Sequence, residues 1–394
     1  MHLLKFRIIG LPLVPDSSWL EVDRGLNVIA ANDGRRAAAL LQMLQTINPP
    51  YALATINPFA GLIPYASGQP YTRKIIPAKK TAALAIFSCP PPLVAELAAL
   101  DPVLYAADRI EFGRRRDYSQ WMNFVELAGS TRWSEIAPIV HALLALLPPT
   151  PLPAAAALQA GLDSWRGTDR IKGEGAIRLK SQLQSLRPHL PAGDRARLDS
   201  CVQAIDRADH FTRAKALVAA RLPLLLAITA GPSPDQQSEA GPLAFLAARL
   251  GEVHPHPGSR GQVLHQLNLR LRDIHPHLHL QFRQEGQTLL LESCAGPAPV
   301  LWTELAPVER IRAQIAGLGL LHAALRGCLP IFLLDLQALS LGDQERCELL
   351  ETLRCGSLQL QILVAPDRGL LDLCAEAGGN PPQEGRSGVR LVTV

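Results

Sequence analysis

The stretch GLNVIAANDGRRAAALLQML, Gly25 to Leu44, sets an apolar run, a short polar turn and a helix in succession. A phosphate-binding loop is built this way, because a helix N-terminus offers unpaired amides and the positive end of its dipole. Working chemistry there needs G-x-x-x-x-G-K-[S/T]: the glycines let amides turn inward, Lys reaches the β and γ oxygens, and the hydroxyl binds Mg²⁺. No Lys and no hydroxyl stand at the start of this helix. Asn32, Gly34, Arg35 and Arg36 remain around it, and its amides, helped by either arginine, can still attract an anion. Three readings are open: a nucleotide site, the remnant of one, or a strand and helix kept for packing.

Other residues could also do chemistry. Arg73, Lys74, Lys79 and Lys80 form one basic cluster and Arg114, Arg115 and Arg116 another, the second beside Tyr118 and Trp121. Such groups meet phosphates and stack on bases, although a solvated surface is the plainer reading for each. His275, His277 and His279 alternate, so on a strand they would share a face that could hold zinc. No acidic or Cys fourth ligand follows at fixed spacing, which favours exposed histidines on an edge strand. The seven cysteines are scattered without a C-x-x-C pair, so neither a disulfide framework nor a zinc ribbon is indicated. Reduced cytosol is the expected compartment. No local signature of a nucleophilic triad occurs, and no catalytic residue and no metal site is assigned. The formal charge of +4 neither demands nor excludes a nucleic-acid partner.

The elements that would position these groups follow from periodicity. Alternation in LLKFRII, then SWLEV and GLNVIAA, reads as strands, followed by a helix over about 35–47 with Leu40, Leu41, Leu44 and Ile47 on its buried stripe. AALAIFS is another strand. After the Pro-rich PPTPLPAAAA the chain reads almost wholly as helix to about Ala230. From Gln262 helices and strands alternate, and the continuous apolar run PIFLLDL suits a parallel strand covered on both faces. The expected fold is α/β: an N-terminal lobe over 1–147, a helical insertion with linkers over 148–261 and a C-terminal lobe over 262–394. At 394 residues the chain is long enough for two domains or one core with an insertion. The run ALVAARLPLLLAITA is interrupted by Arg221 and Pro223, so no membrane span is expected.

Residues 1 to about 47 and 262 to about 368 together resemble the SMC/RecF-like branch of the ABC-type ATPases, a head of the P-loop NTPase fold. The resemblance rests on LLKFRI leading to GLNVI, on WTELAPVERIRAQIAGLGLLHAA as a signature segment, and on LPIFLLDLQALSLGDQERCELLETL as a Walker B strand with its loop and helix. It implies that Ala31, Arg36, Ala37 and Ala38 stand where the phosphate loop has Gly, Gly, Lys and Ser/Thr. In the signature, Ala306 replaces Ser and Val308 replaces Gly, and that β-branched side chain would crowd a phosphate. Asp335 falls at the Mg²⁺-associated Asp, Leu336 at the catalytic Glu and Gly342 at the next loop's Asp, while Pro366 and Asp367 occupy the switch-His region. The departures run in one direction at several stations. The implied protein is a pseudo-ATPase scaffold without cofactor, pairing through its head surface with a protein partner or a second copy, in a DNA-linked assembly. Two rivals stand: an ATPase that binds ATP and Mg²⁺ with a partner's residues, and a nucleic-acid-binding module.

Overall fold

Leu3, Phe6 and Ile8 are all fully buried on β1 (His2–Ile8), where strict alternation would send Leu3 and Phe6 to opposite faces. A β-bulge between Leu3 and Lys5 adds the residue that restores their phase. Downstream lie β2 (Leu20–Glu21), β3 (Leu26–Ala30), α1 (Gly34–Gln45), α2 (Leu53–Ile56), β4 (Thr81–Ser88), α3 (Pro91–Leu100), β5 (Arg109–Arg115) and β6 (Gln120–Phe124). Four helices follow: α4 (Trp133–Ala145), α5 (Pro153–Leu162), α6 (Gly173–Leu186) and α7 (Arg195–Arg221). The remainder comprises β7 (Leu225–Ile228), α8 (Pro242–Val253), α9 (Pro257–Ile274), β8 (Leu280–Glu285), β9 (Thr288–Ser293) and α10 (Pro307–Arg326). It closes with β10 (Ile331–Asp335), α11 (Asp343–Gly356), β11 (Gln361–Ala365), α12 (Arg368–Gly378) and β12 (Val389–Thr393). This computed structural model describes residues 1–11, 14–56, 58–59, 80–100, 108–125, 131–147, 153–162, 165–169, 171, 173–228, 241–274, 276–277, 279–286, 288–293, 304–337, 339, 341–356, 360–378 and 388–394.

Two five-stranded sheets and the antiparallel pair β8-β9 belong to the first unit, which comprises Met1–Ser88, Glu111–Met122 and Arg221–Val394. One has the order β2-β1-β4-β5-β6, with β1 antiparallel to both its neighbours. The other is parallel throughout and has the order β12-β3-β11-β10-β7. β3, from the start of the chain, thus lies between two strands from its end, as expected of an α/β head assembled from both terminal segments. β10 and β11 are buried along almost their whole length, which explains why they read as unbroken apolar runs. Gln361 stitches the sheets together: its Oε1 accepts from Leu3 N at 2.9 Å, and its Nε2 donates to Leu3 O and Asp23 O, both at 2.7 Å.

The second unit, Cys89–Ile110 with Asn123–Ala220, has a core of its own. Trp133, Val140 and Leu143 of α4 pack with Leu158 of α5, Leu183 and Leu186 of α6, and Leu198 and Ile205 of α7. Trp165 stacks on Trp133 at 5.9 Å, and Lys180 pairs with Asp206 at 2.6 Å across α6 and α7. The helical unit therefore starts and ends earlier than 148 and 261. Residues 221–261 carry β7, α8 and part of α9, all in the first unit. The helix expected to run to Ala230 stops at Arg221, before Pro223, and Leu225–Ile228 is a strand paired with β10. His277 and His279 are exposed in the turn before β8, which begins at Leu280, and His275 lies outside the described residues.

Candidate functional site

In a parallel sheet all carboxyl ends point the same way, and the loops leaving them form the crevice where ligands of such folds bind. Here the loops after β3, β10 and β11 converge. Leu336 N donates to Ala365 O at 3.0 Å, joining the β10 loop to the end of β11. Gln337 donates through Nε2 to Pro366 O, and its carboxamide lies against Gly34.

The start of α1 is already occupied by its own chain. Asp33 is the N-cap, its Oδ1 accepting from Arg35 N at 2.9 Å while its carbonyl accepts from Arg36 N at 2.9 Å. Two of the amides that a phosphate would use are spent on Asp33. The cap also sets a carboxylate at the mouth of the cradle, where an arriving anion meets like charge. Ala37, expected at the Lys position, is 1% exposed and belongs to the core rather than to the loop. Asn32 and Arg35 are exposed; Arg36 is half-buried, its Nε without a hydrogen-bond partner among the described residues.

Asp335 ends β10 as an exposed residue, and its Oδ1 accepts from Gln337 N at 3.1 Å, so this carboxylate closes the turn after the strand. Leu336 is 1% exposed. On the next loop Glu345 Oε2 accepts from Gly342 N at 2.8 Å, capping α11. Asp367 caps α12 through Leu370 N at 2.8 Å and takes a hydrogen bond from Arg346 Nε at 3.0 Å. Asp367, followed by Asp343, holds the Arg346 guanidinium above its ordinary pKa. In the segment expected to be the signature, Glu309 Oε2 accepts from Ala306 N at 3.0 Å. Val308, expected to crowd a phosphate, is 3% exposed and faces the core instead.

The basic clusters fare differently from one another. Arg73, Lys74 and Lys79 lie outside the described residues. Arg114 is turned inward: it donates to Thr46 O at 2.7 Å and Ile47 O at 2.9 Å, at the C-terminal end of α1, and to Tyr118 O. Burial pulls its pKa down to about 10, which leaves it charged at neutral pH. It is a helix cap rather than a surface cation. Arg115 reaches Ser119 Oγ at 3.3 Å, and Arg116 N donates to Lys80 O at 3.1 Å, so Lys80, Arg115 and Arg116 sit together at the hairpin of β5 and β6. Trp121 covers Gly113 from the neighbouring strand, where any Cβ would overlap the indole.

Sequence reasoning missed Gln337, Gln361 and the capping role of Asp33. An Asp just before a helix carries a readable N-cap signal, whereas lone glutamines carry none. The described cysteines are free thiols. Among the described residues no His/Cys/Asp/Glu group could hold a metal, and no helix is long and apolar enough to cross a membrane.

No protein-family model matches the sequence, and no curated protein matches it. Among solved structures, the chain is similar to an Smc head domain with extended coiled coil bound to the C-terminal domain of ScpA, from Pyrococcus furiosus. Identity there is 9% over 94% of this chain and 91% of the other, with a TM-score of 0.37. The SMC head domain from Thermotoga maritima gives 10% identity, 94% and 92% coverage, and a TM-score of 0.35. The recombination mediator protein RecF gives 9% identity, 100% and 96% coverage, and a TM-score of 0.32.

Proposed function

We propose that this chain is a catalytically inactive ATPase-like head that serves as a scaffolding subunit of a larger, DNA-linked assembly. The observation that carries the reading is the capped start of α1. Asp33 consumes the amides and supplies negative charge where a triphosphate would need donors and a Lys. Losing a positioned base alone typically costs ~10² to 10⁴ in rate, and the buried Leu336 is the residue that the resemblance aligns with that base. The surviving use of the fold is its surface, offered to a protein partner or a second copy. Titration of the full chain with a fluorescent ATP analogue and Mg²⁺ tests this: no binding at millimolar nucleotide is expected, and micromolar affinity or phosphate release would sink it.

A nucleic-acid contact is favoured by one observation, the gathering of Lys80, Arg115 and Arg116 at one hairpin. In a gel shift with duplex DNA, the joint change of these three residues to Ala should abolish binding and its salt dependence. A shift that persists unchanged would exclude this hairpin.

A further inference from the structure

We propose that Gln337 is a built-in occupant of the phosphate cradle: its side chain stands where a ligand would join the loops, and so holds the head in one shape without nucleotide. The inference deepens the pseudo-ATPase reading and rests on it.

Three contacts define the role. The backbone N of Gln337 donates to Asp335 Oδ1 at 3.1 Å, which fixes the direction in which the side chain leaves β10. Its Nε2 donates to Pro366 O on the loop after β11. Its carboxamide rests on Gly34, the first residue of α1, so closely that a Cβ built there would overlap the Oε1, Cδ and Nε2 atoms. A side chain at 34 would push the end of Gln337 out of this place. One residue thus touches all three loops of the crevice.

The chemistry of the side chain fits the place. With Asp33 at one side and Asp335 at the other, a carboxylate at 337 would add a third negative charge, whereas an amide is neutral and can donate. In a working site a bound phosphate joins such loops, and its loss releases them. Here the join is covalently part of the chain, so it cannot dissociate. The three loops should consequently be as ordered in nucleotide-free solution as elsewhere they are only with ligand.

Hydrogen–deuterium exchange on the full chain tests this. Gln337→Ala should speed exchange at amides of both 33–37 and 366–370 by about tenfold or more, because local opening is released on both sides of the lost contact. Gly34→Ala, which leaves Gln337 intact but fills its space, should produce the same pattern. The double variant should be no worse than either single, as expected of residues sharing one contact. Unchanged exchange in either segment of Gln337→Ala, or additive effects, would overturn the inference. Should Gln337→Ala fail to fold, Gln337→Asn, one methylene shorter, is judged by the same criterion. The two readings separate cleanly. Wild-type binding of the ATP analogue alongside faster exchange in Gln337→Ala removes the pseudo-ATPase reading and keeps the interlock. No binding alongside unchanged exchange does the reverse.

Discussion

His322 shows how a single buried side chain ties stability to pH. It is fully buried on α10; its Nδ1 lies 2.7 Å from Cys328 O, and its Nε2 accepts from Leu224 N at 3.3 Å. Burial, opposed by the Cys328 bond and aided by Arg326, pulls its pKa from 6.5 down to about 4. Between these values the unfolded chain binds a proton that the folded chain refuses, so stability falls as pH drops through this window. The loss is about 3 kcal/mol at the acid end. Thermal melts of wild type should therefore decline steeply from pH 7 to 4.5, and those of His322→Gln less so; parallel curves would show that the ring does not titrate in this way. None of this was legible in the sequence, where His322 is one more histidine on an apolar helix. The same holds for Gln337 and Gln361, because an amide becomes informative only once its partners are known. Asp33 was different, since an Asp before a helix has a mechanism attached to its position.

Among the elements, α1 and its surroundings illustrate why local sequence misleads about basic clusters. Arg114 belongs to a run of three arginines that reads as an electrostatic patch. Its guanidinium nevertheless closes the C-terminal end of α1, where the carbonyls of Thr46 and Ile47 lie beyond the helical ladder and the dipole is negative. Arg114→Ala takes the donor from the buried Thr46 carbonyl, while Ile47 O keeps Gln120 Nε2 at 2.8 Å, and should destabilise the chain by about 2 kcal/mol, read as a lower denaturant midpoint with an unchanged slope. Arg115→Ala, whose side chain reaches Ser119 Oγ at 3.3 Å, should shift the midpoint by a few tenths of that. Equal shifts would refute the assignment. β10 and β11 were legible because burial on both faces leaves continuous apolar runs. β7 was not, because LPLLLAI follows α7 directly and a short buried strand has the same composition as a buried helical turn. The hairpin of β5 and β6 was hidden for another reason. Its strands carry arginines and a glycine, and that glycine is there to make room for Trp121.

For the molecule as a whole, the two-ended head was the most legible property, since the chemistry-bearing segments and the parallel-strand pattern both sat at the extremes of the chain. The limits of the helical unit were less so, since amphipathic helices look alike whichever core they join. The register of β3 against β12, from Leu26↔Val389 to Ala30↔Thr393, makes β12 the outer neighbour that shields it. Deleting residues 388–394 should bare a buried-type strand edge and drive self-association, visible as concentration-dependent elution in gel filtration; a monomeric, equally stable product would count against this. The position of β3 also sets a schedule. The helices of 123–220 hold most of their core within one contiguous stretch and can condense as they emerge from the ribosome. β3 is made long before either of its partners and must wait, without strands on either side, until residues 361–393 have followed it out. During synthesis, then, the parallel sheet closes only after the helical unit has been made, and whatever guards the early strand in that interval acts before the site at its carboxyl ends exists.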